Sequence, residues 1–261
     1  MKTKDVMKTV QPFPRNRLLM VDGGKLARQR HTIHGLVEFD ITEARQKLRR
    51  YRQQTGETLS FSTFFLACLG TAIDQDKQMH ACRDGRGRVV IFDDVDVNML
   101  FEVEVDGVKA IRPHILRGVN HKTLGELEQE IRAFQQGGHA ASREAGFIEW
   151  FVRLPGFVRR LFLRFLLKNP QWMKELYGTV LLSSVVMFGR GSGWGIPQPN
   201  HVLQVTLGGM AEKPGVVNRR VEIREYLSVT VSFDHDVIDG APAARFIQRL
   251  KKLVEGGYGL G

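Results

Sequence analysis

The chain of 261 residues carries 38 Lys and Arg against 28 Asp and Glu, a net charge of +10 at neutral pH. Its length suffices to bury a full core, and its hydrophobic and charged fractions, 43% and 25%, fit a soluble enzyme domain. Two cysteines without Cys-x-x-Cys spacing exclude a disulfide framework, and residues 1–17 lack the apolar core of a secretory signal, so a cytoplasmic location is expected.

In chain order, periodicity predicts a strand over 33–40, a helix over 42–54 capped by Thr42, and an apolar helix over 61–74. Strands are expected at 89–92, 96–105 and 108–114, then a helix over 123–135. Further strands follow at 180–186, 201–207 and 227–233, another pair crosses 216–223, and a helix over 241–255 closes the series. In that helix Ala243, Ile247, Leu250 and Val254 share one face, and Gly256-Gly257 ends it. No Gly-x-Gly-x-x-Gly follows a strand, so a dinucleotide fold is not supported. No proline- or alanine-rich linker interrupts the chain, which favours one domain over 1–261 with 1–16 as a flexible arm.

Cys68, inside an apolar helix, reads as a small core residue. Cys82 with His80, and the pair His31 and His34, lack the further ligands a metal site needs, so no metal is expected. The positive charge is spread along the chain and no nucleic-acid motif accompanies it, so no nucleic-acid partner is expected. Residues 153–168 are a local exception. Val158, Leu161, Phe162, Phe165 and Leu166 form one helical stripe, with Arg160, Arg164 and Lys168 on the other side. Such a helix ordinarily packs its stripe on its own domain and leaves its cations in water, although basic amphipathic helices can also lie on anionic membranes. The segment is too short and too charged to span a bilayer.

The most informative stretch runs from Ser228 to Gly240. Leu227, Val229, Val231 and Phe233 alternate with Ser228, Thr230 and Ser232, the period of a strand. His235 follows at the strand end, Asp239-Gly240 makes a turn, and the last helix begins. A histidine on a short loop between rigid elements is well placed to act as a base. By spacing alone, though, Asp-Gly is ordinarily just a turn.

Phe233 to Ala241 resembles the His-x-x-x-Asp-Gly signature of coenzyme A-dependent acyltransferases. That group includes the catalytic domain of the 2-oxo acid dehydrogenase dihydrolipoamide acyltransferases, and chloramphenicol acetyltransferase. Asp236 stands where the dehydrogenase-complex enzymes commonly have Arg, and Asp234 where chloramphenicol acetyltransferase has a second His. The run from Gly178 to Gly189 is similar to the family's Gly-Thr-Phe-Thr-x-Ser-Asn-x-Gly-x-Phe-Gly segment, with Ser183 at the serine and Ser184 at the usual Asn. Weaker likeness extends from Arg17 to Glu255.

The resemblance implies an α/β (α+β) fold of two layers, a mixed sheet covered by helices. It implies acyl transfer between coenzyme A and a thiol such as dihydrolipoamide, with His235 as base, Ser183 (Ser184 second) stabilising the oxyanion, and Asp239 with Gly240 shaping the loop. An arginine from the N-terminal region is expected to hold Asp239, with Arg15, Arg17 and Arg28 as candidates. A homotrimer is implied too, with the histidine of one subunit facing the serine of the next. Lipoyl and peripheral subunit-binding domains are not recognisable, so any lipoyl group is expected on a separate partner. The alternatives are transfer to a small hydroxyl acceptor, as in chloramphenicol acetyltransferase, or a scaffold subunit without catalysis.

Overall fold

The computed structural model describes residues 11–14, 17–105, 108–137, 150–184 and 191–260. In order these form α1 (Leu18–Ala27), β1 (Thr32–Asp40), α2 (Thr42–Thr55), α3 (Phe61–Asp74), β2 (Cys82–Arg83), β3 (Val89–Val90), β4 (Val97–Val105) and β5 (Val108–Leu116). Next come α4 (Leu124–Gln135), α5 (Gly156–Lys168), α6 (Pro170–Tyr177), β6 (Val180–Ser184), β7 (Leu203–Val217), β8 (Arg220–Asp234) and α7 (Gly240–Glu255). Most of the expected arm, and the expected strand beyond Ser184, lie outside the described residues.

A mixed six-stranded sheet runs β1-β8-β7-β6-β4-β5. β6 is parallel to both β4 and β7, and the other pairings are antiparallel. The period of two decides what each face holds. Leu227, Val229, Val231 and Phe233 are buried in the core, where the Phe233 ring meets Phe246 of α7 edge-on at 6.0 Å. A helix can approach this closely because Gly35 of β1 has no side chain; a Cβ there would stand 2.6 Å from Ile247 Cδ1. α3 starts at Ser60, whose Oγ accepts the Thr63 backbone N–H, and it buries Phe64, Phe65, Leu66, Leu69 and Ile73. Removing water from each such side chain is worth about 1.5–3 kcal/mol.

The expected strand pair over 216–223 is the far half of one long hairpin. β7 and β8 run to a two-residue turn at Asn218-Arg219, both at positive φ, 50° and 64°. Two left-handed residues match the twist of the flanking strands.

The helix expected over 153–168 begins at Gly156, and its orientation differs from the expectation. Leu166 is buried, but Leu161 and Phe165 face outward and Arg159 is buried in their stead. The cause is a long-range ion pair. Arg159 Nε donates to Asp22 Oδ2 of α1 at 2.8 Å, and Nη1 donates to Leu154 O at 2.6 Å. A buried carboxylate needs a paired cation, and this pairing sets the helix rotation.

Candidate active site

β8 delivers His235. Its last residue, Asp234, donates its backbone N–H to Val202 O at 2.9 Å, and the chain then turns, with Val237 and Ile238 N–H both bonded to Asp234 O at 3.0 Å. Ile238 is buried and anchors the far side of the turn. Asp239 occupies the N-cap position of α7 without making a side-chain cap bond, and Gly240 is the first helical residue. His235 and Asp239, four residues apart, meet across this turn: Nδ1 lies 3.8 Å from Asp239 Oδ1. Both side chains reach solvent, the histidine 45% exposed and the aspartate 85%.

The start of β1 holds the loop from the other side. His235 N–H donates to His31 O at 2.7 Å. Arg30 forms a half-buried ion pair with Asp234. Asp234 Oδ1 also accepts the Asp236 backbone N–H at 3.2 Å, and Asp236 Oδ1 sits 2.8 Å from His31 Nδ1. The hydrogen bond and charge of Asp236 raise the His31 pKa above its usual value. The aspartate that departs from the family pattern is thus matched by a local histidine. His31 and His34 serve separate partners, the latter bonding Ser232 Oγ at 2.8 Å.

These supports were partly hidden in the sequence. Arg17 and Arg28 flank α1, Arg15 lies outside the described residues, and among those described no arginine pairs with Asp239. The arginine that reaches the loop is Arg30, and its target is Asp234. The only sequence signal was position: Arg30-His31 immediately precedes the strand that pairs with β8.

Ser183 stands elsewhere. It lies near the end of β6, its Oγ 3.0 Å from Thr206 Oγ1, with Ser184 half-buried next to it. Ser183 pairs with Thr206, which pairs with Thr230, five residues short of His235 on β8. At 3.3 Å per residue the serine and the histidine are about 16 Å apart along the strands, and two strands apart across the sheet. One chain therefore does not bring them together. On the face carrying the half-buried Ser183, Thr206 and Thr230 are polar yet buried. Thr230 Oγ1 and Gln204 Oε1 have no hydrogen-bond partner among the described residues.

Beyond β6 the chain returns over a bulge in β7. Gly209 N–H donates to Gly193 O at 2.8 Å, and Cβ atoms at Gly208 and Gly209 would stand 2.1 and 2.0 Å from the carbonyl oxygens of Gly193 and Gly191. Only glycine admits this approach. Two other histidines lie in the interior. His80 Nε2–H donates to Phe92 O at 3.1 Å with Nδ1 beside Thr179 Oγ1, His201 Nε2–H donates to Tyr177 O at 3.0 Å with Nδ1 beside Asn200 Oδ1, and burial pushes each imidazole down to about 4.

Residues 169–259 match the family of the 2-oxoacid dehydrogenases acyltransferase (catalytic domain). A curated relative from Homo sapiens is the mitochondrial dihydrolipoyllysine-residue succinyltransferase component of the 2-oxoglutarate dehydrogenase complex. It is 31% identical over 224 residues, 84% of this chain and 42% of its own length. Two solved structures share the fold. The cubic core of the pyruvate dehydrogenase multienzyme complex superposes with a TM-score of 0.71 at 16% identity, covering 97% of this chain and 94% of that one. A dihydrolipoamide acetyltransferase from Azotobacter vinelandii gives a TM-score of 0.70 at 16% identity with the same coverage. Work on that enzyme concerns the catalytic roles of a serine, a histidine 52 residues later and an asparagine four beyond it. The chain spans about half or less of the length of the curated relatives it matches.

Proposed function

We propose that this chain, which belongs through residues 169–259 to the catalytic-domain family of the 2-oxoacid dehydrogenase acyltransferases, moves an acyl group between coenzyme A and a thiol acceptor. The observation that carries the reading is the His235 loop: a partly exposed imidazole fixed by β1, with a carboxylate facing Nδ1. Further support comes from spacing. Ser183, His235 and Asp239 stand at the intervals of 52 and four residues that separate the serine, histidine and asparagine of the Azotobacter enzyme.

In this mechanism Asp239 orients the ring through Nδ1, leaving Nε2 to take the proton of the coenzyme A thiol. A positioned base of this kind contributes roughly a hundred- to ten-thousand-fold. The thiolate attacks the carbonyl carbon of the S-acyl dihydrolipoyl group, and the carbonyl electron pair becomes an oxyanion. Ser183 Oγ–H donates to that oxygen, a contact typically worth about 3–4 kcal/mol. When the intermediate collapses, the dihydrolipoyl sulfur leaves and takes the proton back from His235. One thioester and one thiol are exchanged for another pair, and the reverse reaction uses the same groups. The dihydrolipoyl group, free or carried by a separate protein, is the acyl donor in this direction and the acceptor in the reverse one.

The distance between Ser183 and His235 on one sheet favours a trimer-based assembly in which the serine comes from a neighbouring copy. The fold shared with the cubic core supports that arrangement. Formation of free coenzyme A, separated chromatographically from the acceptor thiols, from a panel of acyl-coenzyme A substrates with free dihydrolipoamide as acceptor tests the reaction. Turnover is expected in the wild type and at least a hundredfold less in His235→Ala. Equal turnover in the two removes His235 as base, and no turnover with any chain length favours a scaffold.

A further inference from the structure

α5 presents an outward face that the catalytic reading does not use, tied to the interior where Arg160 Nη1 reaches the buried Asp22 Oδ1 at 3.4 Å. At 3.6 residues per turn, Arg160, Arg164, Phe157, Lys168, Leu161 and Phe165 fall within one arc of about 140°. The opposite side carries Leu166 and the Arg159 that is locked onto Asp22. In the outward arc Phe157 and Leu161 are each 68% exposed and Phe165 53%. Phe165 leans edge-on against the exposed Trp172 of α6 at 5.5 Å, and Met20 of α1 stands 74% exposed. α5 contains no acidic residue. Between α1 and α5 opens a groove of about 460 Å³ whose walls include Lys25, Gln29, Arg160 and Arg164 beside Leu26 and Phe157.

Large apolar side chains and cations thus share one solvent-facing arc. A water-facing helix turns its apolar stripe inward. On α5 three cations and no carboxylate interleave with Phe157, Leu161 and Phe165, a pattern that calls for an anionic and partly apolar counter-surface. They fit a bilayer interface, where apolar side chains enter the acyl boundary and cations meet lipid phosphates. The net charge of +10 adds long-range attraction to an anionic surface. We propose that the α1–α5 face docks the protein peripherally on anionic lipid bilayers. Phe157, Leu161 and Phe165 insert, and the groove between Lys25, Arg160 and Arg164 receives a headgroup phosphate. Among the described residues no helix is long and apolar enough to cross a membrane, so the contact lies in the interface plane.

Vesicle flotation of the full chain tests this, using phosphatidylcholine vesicles with and without 30% phosphatidylglycerol. Wild type is expected to float with the mixed vesicles, to stay behind with pure phosphatidylcholine, and to be released at high salt. The double variant Lys25→Glu, Arg164→Glu is expected to bind at least tenfold more weakly, since each surface cation contributes about fivefold. The triple variant Phe157→Ser, Leu161→Ser, Phe165→Ser is expected to lose flotation while keeping its circular dichroism and its release of free coenzyme A. Flotation equal on neutral vesicles, no flotation on anionic ones, or wild-type flotation by the triple variant overturns the proposal. So does a change in oligomeric mass of the triple variant in lipid-free buffer, which makes the face a subunit interface.

Discussion

If Ser183 and His235 work only across a subunit boundary, two inactive variants should rescue each other. Ser183→Ala retains the base and His235→Ala retains the hydroxyl. Each homotrimer has three incomplete sites, with losses of roughly a hundred- to a thousandfold for the serine and a hundred- to ten-thousandfold for the histidine. Within one chain the two residues are separated by five positions of β8 and two strand spacings, about 16 Å by 10 Å, far beyond any hydrogen bond. In a cyclic trimer of mixed composition, one interface in three pairs the intact histidine with the intact serine. Random co-assembly at equal amounts makes three-quarters of the trimers mixed. Unfractionated protein should therefore show about a quarter of wild-type turnover, and doubly tagged mixed trimers about a third. The assay is formation of free coenzyme A after co-expression of the two chains with different tags. Mixed trimers no more active than the average of the two parents would refute the shared site and require the serine and histidine of one chain to act together.

Three further outcomes follow from the packing. Asp22→Ala leaves the Arg159 guanidinium buried without its carboxylate, and should cost about 3–5 kcal/mol in urea unfolding, whereas adding Arg159→Leu should recover part of the loss. Gly208→Ala forces a methyl group against Gly193 O, 2.1 Å away, and should lower both the melting temperature and turnover, because the displaced loop follows the Ser183 strand. His80 and His201, held neutral with folded values near 4 against 6.5 unfolded, give stability that is complete above pH 6.5 and is lost as the pH falls toward 4, where only the unfolded chain has gained the protons. The expected slope amounts to on the order of 3 kcal/mol per histidine, measured as urea midpoints between pH 7 and 4; His201→Gln should flatten it.

Period alone located the elements that build the core. β8 shows strict alternation, α7 keeps Ala243, Ile247, Leu250 and Val254 on one side, and α3 is apolar nearly all round, so each was visible in its residues. α1 was not, because its ten residues include Gly23-Gly24 and no regular apolar stripe. α6 is only eight residues long, starts at a proline and was equally invisible. The rotation of α5 could not be read locally either. A stripe containing Leu161 and Phe165 looks like an inward face until Asp22, 137 residues upstream, is known to claim Arg159. The same holds at the site. His235, Asp239 and Ser183 stand out by motif, while Arg30 and His31 matter only because β1 lies against the end of β8, a fact of sheet order.

That sheet order also bears on how the protein is made. Among the described residues β1, formed by Thr32–Asp40, pairs only with the Tyr226–Asp234 half of β8. About 190 residues must leave the ribosome between them, which at 5–20 residues per second takes roughly 10–40 s. During that interval the nascent chain carries an unpaired strand edge beside the apolar α3, while the β7–β8 hairpin, closed by a two-residue turn, can zip within microseconds of emerging. The loop that carries His235 is therefore among the last parts to be set, and a ribosome stalled ahead of β8 holds a chain without its central pairing and with an open edge for chaperones to guard.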